Sequence, residues 1–465
     1  MRAVAVLLVV LLLAACTPDE DEDTAYAPSP SPADSATQST APTPPGWQTQ
    51  QPSAVLTKRP LVLATNPRRG PIDLPETVAR WVIDGTITNW RDLGQPAAPL
   101  RVVDRGPVRN LPMNTVAVAA AHGVGPGVRV VTVDGFDPLR EPDRYPIQVQ
   151  GPSHDQVTTV TIVGDIMLGR EVGGGAALRP MARRLASADI TVGNLESTLS
   201  DAGAPTQDDA FHADPAVRED LWRAGFDALS LANNHVGDYG DAALVETVQL
   251  VRNMGFKTFG AGRDLAAARR PAVIDQLGLT FGFLGFNAIG ETPEAAPGQP
   301  GALSVSMPPR TGPLDRGELR RVLGDVRRLA KRVDVVVVMP HWGTQYTNRP
   351  EPVQVDVARR LAAAGADLVV GGHPHWVQGA SLVGGTLVVN SLGNFVFDMD
   401  DESLFGEQAM EGLVLEATFW GDRLMAADFV PYRMGEDFAP RVVARAEATR
   451  VYDDFWEFSG LGATR

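Results

Sequence analysis

The rhythm of apolar and polar positions divides this chain into stretches of different character. Residues 3–15, Ala3 to Ala15, form an unbroken apolar run of thirteen. That is shorter than the roughly 20 residues a bilayer-spanning helix needs, and its position directly after Met1-Arg2 marks a secretory signal rather than a fold element. Residues 17–53 show no apolar periodicity: eight prolines, many Ser and Thr, an acidic run Asp19 to Asp23 and no Lys or Arg. Such a stretch buries too little apolar surface to order itself, and its proline content favours an extended spacer. From Leu56 to about Gln150, short apolar runs such as Pro60 to Ala64 and Leu100 to Val103 are broken by Gly and Pro. These predict short strands between loops, with one helix over Pro75 to Ile83.

From Val157 the pattern changes to β-branched apolar segments alternating with amphipathic helical ones. Strands are predicted at 157–163, 189–192, 228–231, 281–286, 333–339 and 368–370, and helices at 215–224, 242–254, 315–331 and 353–364. In the last helix Val353, Val357 and Leu361 fall at i, i+4 and i+8, one buried face. This alternation predicts an α/β domain. A hairpin over Gly412 to Tyr432, turning at Gly421-Asp422, completes one sheet. Beyond Met434 the pattern weakens, and residues 437–465 read as a loose or capping tail. The resulting division is a signal at 1–15, a tether at 16–55, a small α/β region at 56–150, the main domain at 155–436 and the tail.

Cys16 is the only cysteine, so the ordered part has no disulfides. Leu13-Ala14-Ala15-Cys16 matches the bacterial lipoprotein signal, which implies cleavage before Cys16 and lipidation of its thiol. The other reading is an uncleaved anchor or a free thiol. Acyl chains would hold the protein in the membrane from outside, so the expected location is extracytoplasmic and lipid-anchored. The net charge is −15, of which six negative charges lie in the tether. The remainder is moderately acidic, which excludes nucleic acid as a partner, since that requires a basic face.

Candidate chemistry gathers at the predicted strand ends, where α/β folds build sites. Five clusters stand there: Gly164-Asp165-Ile166-Met167-Leu168-Gly169-Arg170, Gly193-Asn194-Leu195-Glu196, Ala232-Asn233-Asn234-His235-Val236-Gly237-Asp238-Tyr239-Gly240, Pro340-His341-Trp342-Gly343 and Gly371-Gly372-His373-Pro374-His375. Together they offer carboxylates, amide oxygen and four of the seven histidines, a mixed oxygen and nitrogen set suited to Mn, Fe or Zn. Two such ions roughly 3.5–4 Å apart polarise a phosphoryl oxygen and acidify water. Glu196 is the candidate bridging carboxylate. Taken singly, each cluster also has a structural reading. Gly-Asp after a strand is commonly a turn, Asn233-Asn234 would cap a following helix, and His341 beside Trp342 would serve as a core contact. His373 and His375 are harder to assign to packing, because alternate residues of an extended segment point the same way.

In order and spacing these motifs, with Asn390-Ser391-Leu392-Gly393-Asn394-Phe395, resemble the CapA family of poly-γ-glutamate capsule biosynthesis proteins, from about Val157 to Asp398. That family resembles the calcineurin-like metallophosphoesterases, which implies a four-layer α-β-β-α sandwich with two divalent metal ions at the strand ends. By position, the resemblance assigns Asp165 and His375 to one metal and Asn234, His341 and His373 to the other, with Glu196 between. It makes His235 the general acid or transition-state stabiliser and Asp238 its orienting partner. Arg170 would bind an anionic substrate or form a helix-start ion pair, and Asn390 and Asn394 would position loops. Two departures stand out. Metallophosphoesterases carry Asp-x-His at the first strand, where this chain has Met167, and family members commonly have Glu before the tyrosine of His-Trp-Gly-x-Glu-Tyr, where this chain has Gln345 before Tyr346. Either change weakens the expected catalysis.

Within 56–150, Val82 to Gly94 resembles the signature of periplasmic phosphate-type solute-binding proteins. About 90 residues supply less than one of the two lobes such a receptor needs, so a partial lobe is favoured over a working receptor, and fold likeness alone gives no function. His122 there carries no assigned role. The expected function is a metal-dependent hydrolase acting on a phosphoester or on an anionic envelope polymer such as poly-γ-glutamate. The alternative is a non-catalytic, membrane-anchored scaffold for polymer assembly or export, in complex with a polymer synthase.

Overall fold

In the computed structural model, residues 57–104 and 106–463 are described. The signal at 1–15, the tether at 16–55 and Cys16 lie outside the described residues. Ala54–Arg465 forms one compact unit, and among the described residues no helix is long and apolar enough to cross a membrane.

The described residues open with strand β1 (Thr57–Thr65), helix α1 (Glu76–Ile83), β2 (Arg101–Asp104), β3 (Thr115–Ala120), β4 (Arg129–Val130) and β5 (Gln148–Gly151). These strands form a small sheet in the order β2-β3-β1-β4, with β5 also paired to β1. The main part follows as β6 (Val157–Ile166), α2 (Arg179–Leu185), β7 (Ile190–Leu195), α3 (Val217–Arg223), β8 (Ala228–Ser230), α4 (Asp241–Asn253), β9 (Lys257–Phe259), β10 (Ala272–Gln276), β11 (Leu279–Asn287), α5 (Arg316–Leu329), β12 (Val335–His341), α6 (Pro352–Ala364) and β13 (Leu368–Val370). It ends with β14 (Val377–Val383), β15 (Thr386–Leu392), β16 (Asn394–Val396), β17 (Glu411–Trp420), β18 (Arg423–Met434), β19 (Pro440–Val442) and α7 (Thr449–Glu457).

One sheet runs β9-β8-β7-β6-β17-β18-β19 with β16 also on β6, and the other runs β10-β11-β12-β13-β15-β14. β6 to β9 are mutually parallel, as are β11, β12, β13 and β15. Apolar side chains of both sheets share one core: Val160, Ile162, Val192 and Phe419 of the first meet Phe281, Phe283, Val335 and Val337 of the second. Phe281 and Phe419 pack edge to face at 5.6 Å between ring centroids. Helices α2, α3 and α4 cover the outer face of the first sheet, and α5 and α6 that of the second. The result is a mixed α/β architecture. α5 starts where Asp315 accepts hydrogen bonds from the backbone N–H groups of Gly317 and Glu318, and α6 stops at Gly365 with φ 106°, a left-handed end that glycine adopts without strain.

One expectation becomes definite, and one relationship that the sequence left open is seen. Of the two readings of the tail, loose or capping, the described residues 437–463 are packed: β19 extends the first sheet, and α7 buries Val451, Tyr452, Phe455 and Trp456 in the core between the sheets. Phe455 packs 4.5 Å from Phe429. The weak pattern arose because this apolar face is carried on a helix rich in Asp, Glu and Arg. The region before Gln150 also packs against the main part. Trp420, Met425 and Ala426 join Val62, Ala64 and Leu139 in one cluster, and Trp420 Nε1 donates to the Leu139 carbonyl at 2.7 Å.

Candidate metal centre

Asp165 lies near the C-terminal end of β6, Glu196 directly after β7, Asn234 beyond β8, His341 at the end of β12, and His373 and His375 beyond β13. All five strands point the same way within their sheets, so their ends converge. The backbone there is unusual. His373 has φ 92° and His375 φ 61°, a left-handed region that non-glycine residues enter at a cost of order 1–3 kcal/mol and that clusters at functional sites. Gly372 is required where the loop crosses the first carboxylate, because a Cβ there would sit 2.5 Å from Asp165 Oδ1.

The side chains converge as well. The buried Asp165 carboxylate accepts from Asn194 Nδ2 at 2.8 Å and from the His373 backbone N–H at 3.0 Å, and His375 Nδ1 lies 3.9 Å from its Oδ2. His341 Nε2 is 2.8 Å from Asn234 Oδ1 and 3.4 Å from Glu196 Oε1. Glu196, His341 and His373 each bring a ligand atom within 4.8 Å of the others. His375 Nδ1 pairs with Asn394 Oδ1 at 2.8 Å, which places the proton on Nδ1 and leaves the Nε2 lone pair for a ligand. Asn390 supports the strand framework instead, donating to the Gly379 carbonyl at 2.6 Å.

Glu196 Oε1 and both ring nitrogens of His373 are buried without a hydrogen-bond partner. Each such orphan costs about 1–3 kcal/mol. Burial raises the Asp165 carboxyl to about 7, with the Glu196 charge adding to it, and raises Glu196 to about 8. Burial also lowers His341 to about 4 and His375 to about 3, and holds His373 well below its ordinary value. In each case the charged form is disfavoured. A divalent cation reverses the penalty on the carboxylates and takes imidazole in its neutral form, so this donor set fits one.

Beside this cluster, His235 Nδ1 lies 2.8 Å from Asp238 Oδ2, and its ring stacks on Phe211 at 3.6 Å. Asp238 also accepts from the Phe211 backbone N–H at 2.7 Å and from Gln207 Nε2 at 2.5 Å. Arg170 makes a two-pronged ion pair with Asp398, both contacts at 2.8 Å, and a third contact at 2.7 Å with Asp209. Its guanidinium lies 4.8 Å from the centre of the Phe211 ring. Asn233-Asn234 do not cap α4, whose cap is Gly240. Instead, Asn233 Oδ1 accepts from the His235 and Val236 backbones. Met167 is buried, with its sulfur 3.2 Å from the Gly169 N–H, and supplies no imidazole.

Three contributors were not legible in the sequence. Asn194 bridges Asp165 and Glu196, and Glu291 accepts from Asn234 Nδ2 at 2.6 Å. Arg310 reaches Glu291 at 2.5 Å. Asn194 belongs to the Gly193-Asn194-Leu195-Glu196 cluster, where Glu196 is the evident ligand type. The available signal for Glu291 was its position just past the end of β11.

The family model for bacterial capsule synthesis protein PGA_cap matches residues 159–399, more than half of the chain and all of the centre. The chain belongs to this family. This PGA_cap chain is 28% identical over 319 residues to the capsule biosynthesis protein CapA of Bacillus anthracis, covering 66% of this chain and 74% of that one. It is 30% identical over 259 residues to the PGA biosynthesis protein CapA of Bacillus subtilis, covering 52% of this chain and 64% of that one. A probable polyglutamine synthesis accessory protein of Mycobacterium tuberculosis is 28% identical over 219 residues, 46% of this chain and 56% of that one. The PGA_cap match begins after the small sheet of β1 to β5, which lies outside it.

Proposed function

We propose that this chain is a metal-dependent hydrolase of the cell envelope, held at the outer face of the membrane through lipidated Cys16. It acts on a phosphoester or a bond in an anionic polymer such as poly-γ-glutamate during that polymer's synthesis or processing. The observation that carries the reading is the set of buried donors without partners, Glu196 Oε1 and both His373 nitrogens, inside a group of Glu and His atoms within 4.8 Å of one another. Two sheets sharing a core, with helices on both outer faces, support a metallophosphoesterase-like sandwich as the fold behind it.

Asp165, Glu196, Asn234, His341, His373 and His375 would hold two divalent ions, of Mn, Fe or Zn type. Bound there, such ions would polarise an oxygen of the scissile bond and acidify water. Asp238 keeps a proton on His235 Nδ1 and fixes the ring plane. His235 then presents its other nitrogen to the reacting group and donates a proton to the departing oxygen. Phe211 excludes water from one face of that ring.

Metal content of the full chain, with and without His373→Ala plus His375→Ala, tests this alongside hydrolysis of a phosphomonoester and a phosphodiester. About two metals, with metal and turnover lost together in the variant, is the expected result. No metal in the intact chain after Mn, Fe and Zn supplementation would overturn it. One observation favours a non-catalytic scaffold working with a polymer synthase: Met167 takes the position where an imidazole is expected. Under that reading metal binds without turnover.

A further inference from the structure

The rim of the centre carries two arginines, and their partners differ. Arg170 faces two carboxylates, Asp398 and Asp209, so its charge is internally compensated. Arg310 stands in the segment between β11 and α5. Its Nη2 donates to Glu291 Oε1 at 2.5 Å, and its Nη1 reaches the neutral amide oxygen of Gln345 at 3.4 Å. Arg310 makes no other hydrogen bond among the described residues, although a guanidinium has five donors. Its side chain is 41% exposed, so the residue is open to solvent.

Arg310 is also wired to the centre. Glu291, which holds it, accepts with its other oxygen from Asn234 Nδ2 at 2.6 Å, and Asn234 Oδ1 lies 2.8 Å from His341 Nε2. Three polar contacts therefore link an exposed cation to a buried ligand nitrogen. Both residues that receive this arginine belong to strained turns, with Glu291 at φ 64° and Tyr346, next to Gln345, at φ 57°. Residues in this region persist where surrounding structure holds them, commonly at ligand clamps.

We infer that Arg310 is a substrate-binding residue that takes an oxyanionic group, carboxylate or phosphate, flanking the bond delivered to the centre. Its planar fork accepts either group by two parallel N–H contacts. The neutral Gln345 leaves it with a single internal carboxylate, itself shared with Asn234, so an external anion meets an incompletely neutralised cation. Glu291 is a positioning residue: by taking the Asn234 N–H it turns the amide oxygen toward the ligand cluster. This inference rests on the hydrolase reading above and names the chemistry of its substrate.

The test is calorimetric binding of a γ-linked glutamate oligomer and, separately, of inorganic phosphate to the full chain, with metal content measured in each variant. Arg310→Ala should weaken the recognised probe about 10- to 100-fold, the loss of a charged hydrogen-bond pair, with metal content as in the wild type. Arg310→Lys should recover little, because a point charge does not replace a two-pronged contact. Gln345→Glu should also weaken binding, by giving Arg310 a second internal carboxylate. The probe that shows this dependence decides between carboxylate and phosphate. Equal affinities in wild type and Arg310→Ala, or a metal-loaded wild type that binds neither probe, would overturn the inference and leave the hydrolase reading standing. Absence of metal would overturn that reading instead, so the two failures are distinguishable.

Discussion

His235 and Asp238 are three residues apart in sequence and joined by a 2.8 Å contact between Nδ1 and Oδ2, with side-chain exposures of 6% and 1%. Burial opposes protonation of His235, but the Asp238 hydrogen bond and the charges of Glu196, Asp238 and Glu291 outweigh it, so the imidazole is raised above its ordinary value. A raised imidazole keeps its proton to higher pH, and a general acid fails as pH rises through that value. Asp238→Asn removes the carboxylate, so the alkaline limb of kcat/KM should move to lower pH, with kcat reduced on the same limb. The stability contribution has the same sign: it is fully present below the unfolded imidazole value of about 6.5 and lost as pH rises through the folded one. An unmoved alkaline limb in Asp238→Asn would remove His235 from the acid role.

Metal addition should stabilise the chain, because ligands that are costly when empty become paired when the ion binds. At a free ion concentration one hundred times its dissociation constant the gain is about 2.7 kcal/mol, visible as a rise in Tm reversed by a chelator. His373→Ala should abolish most of that rise while changing the metal-free Tm little, since the removed ring has two orphaned nitrogens and Ala leaves no polar group to satisfy. An undiminished metal-dependent rise in this variant would argue against His373 as a ligand.

The strand ends were legible because short β-branched runs such as Val335 to Val338 leave few alternatives to a buried parallel strand, and polar residues just beyond such runs can only line an edge. Two kinds of feature were not. Strand order depends on pairings between distant segments: β17 lies antiparallel to β6 with Leu415 opposite Ile162, and nothing local in either segment encodes that. The roles of Asn194, Glu291 and Arg310 likewise arise where the end of β7 meets the long segment between β11 and α5 in space. α7 is hidden in the sequence for a different reason. Val451, Tyr452, Phe455 and Trp456 do form a helical stripe, but Asp453, Asp454 and Glu457 lie between and beside them, and the stripe is only two turns long.

That short helix should matter for stability out of proportion to its length. Phe455 is fully buried, packs on Phe429 and Trp456 at 4.5 and 4.8 Å, and belongs to the core shared by the two sheets. Phe455→Ala should cost about 3–5 kcal/mol, measured by urea unfolding. Truncation after Met434 should yield aggregated protein, because it exposes the same core face. A loss below about 1 kcal/mol in the point variant would restore the reading of this segment as a loose tail.

Arg170 separates a structural from a recognition role. Its side chain is 33% exposed, whereas Asp398 is 3% exposed. Burial pushes the Asp398 carboxyl up, and the Arg170 hydrogen bonds and charge hold it back down. Arg170→Ala strands that carboxylate, so the folded form should lose roughly 3 kcal/mol, as breaking a buried ion pair does, and Asp398 should take up a proton nearer neutral pH. A carboxylate raised on folding makes stability fall as pH rises through its titration range, so the deficit of Arg170→Ala should shrink toward acid pH. The double variant Arg170→Ala plus Asp398→Asn should recover most of the loss, because it removes the stranded charge along with its partner. A structural pair predicts that recovery in both Tm and turnover. If Tm recovers while KM for the polymer stays elevated, Arg170 also touches the substrate. If neither recovers, the contact with Asp398 is not what Arg170 contributes, and its position over Phe211 becomes the next interaction to remove.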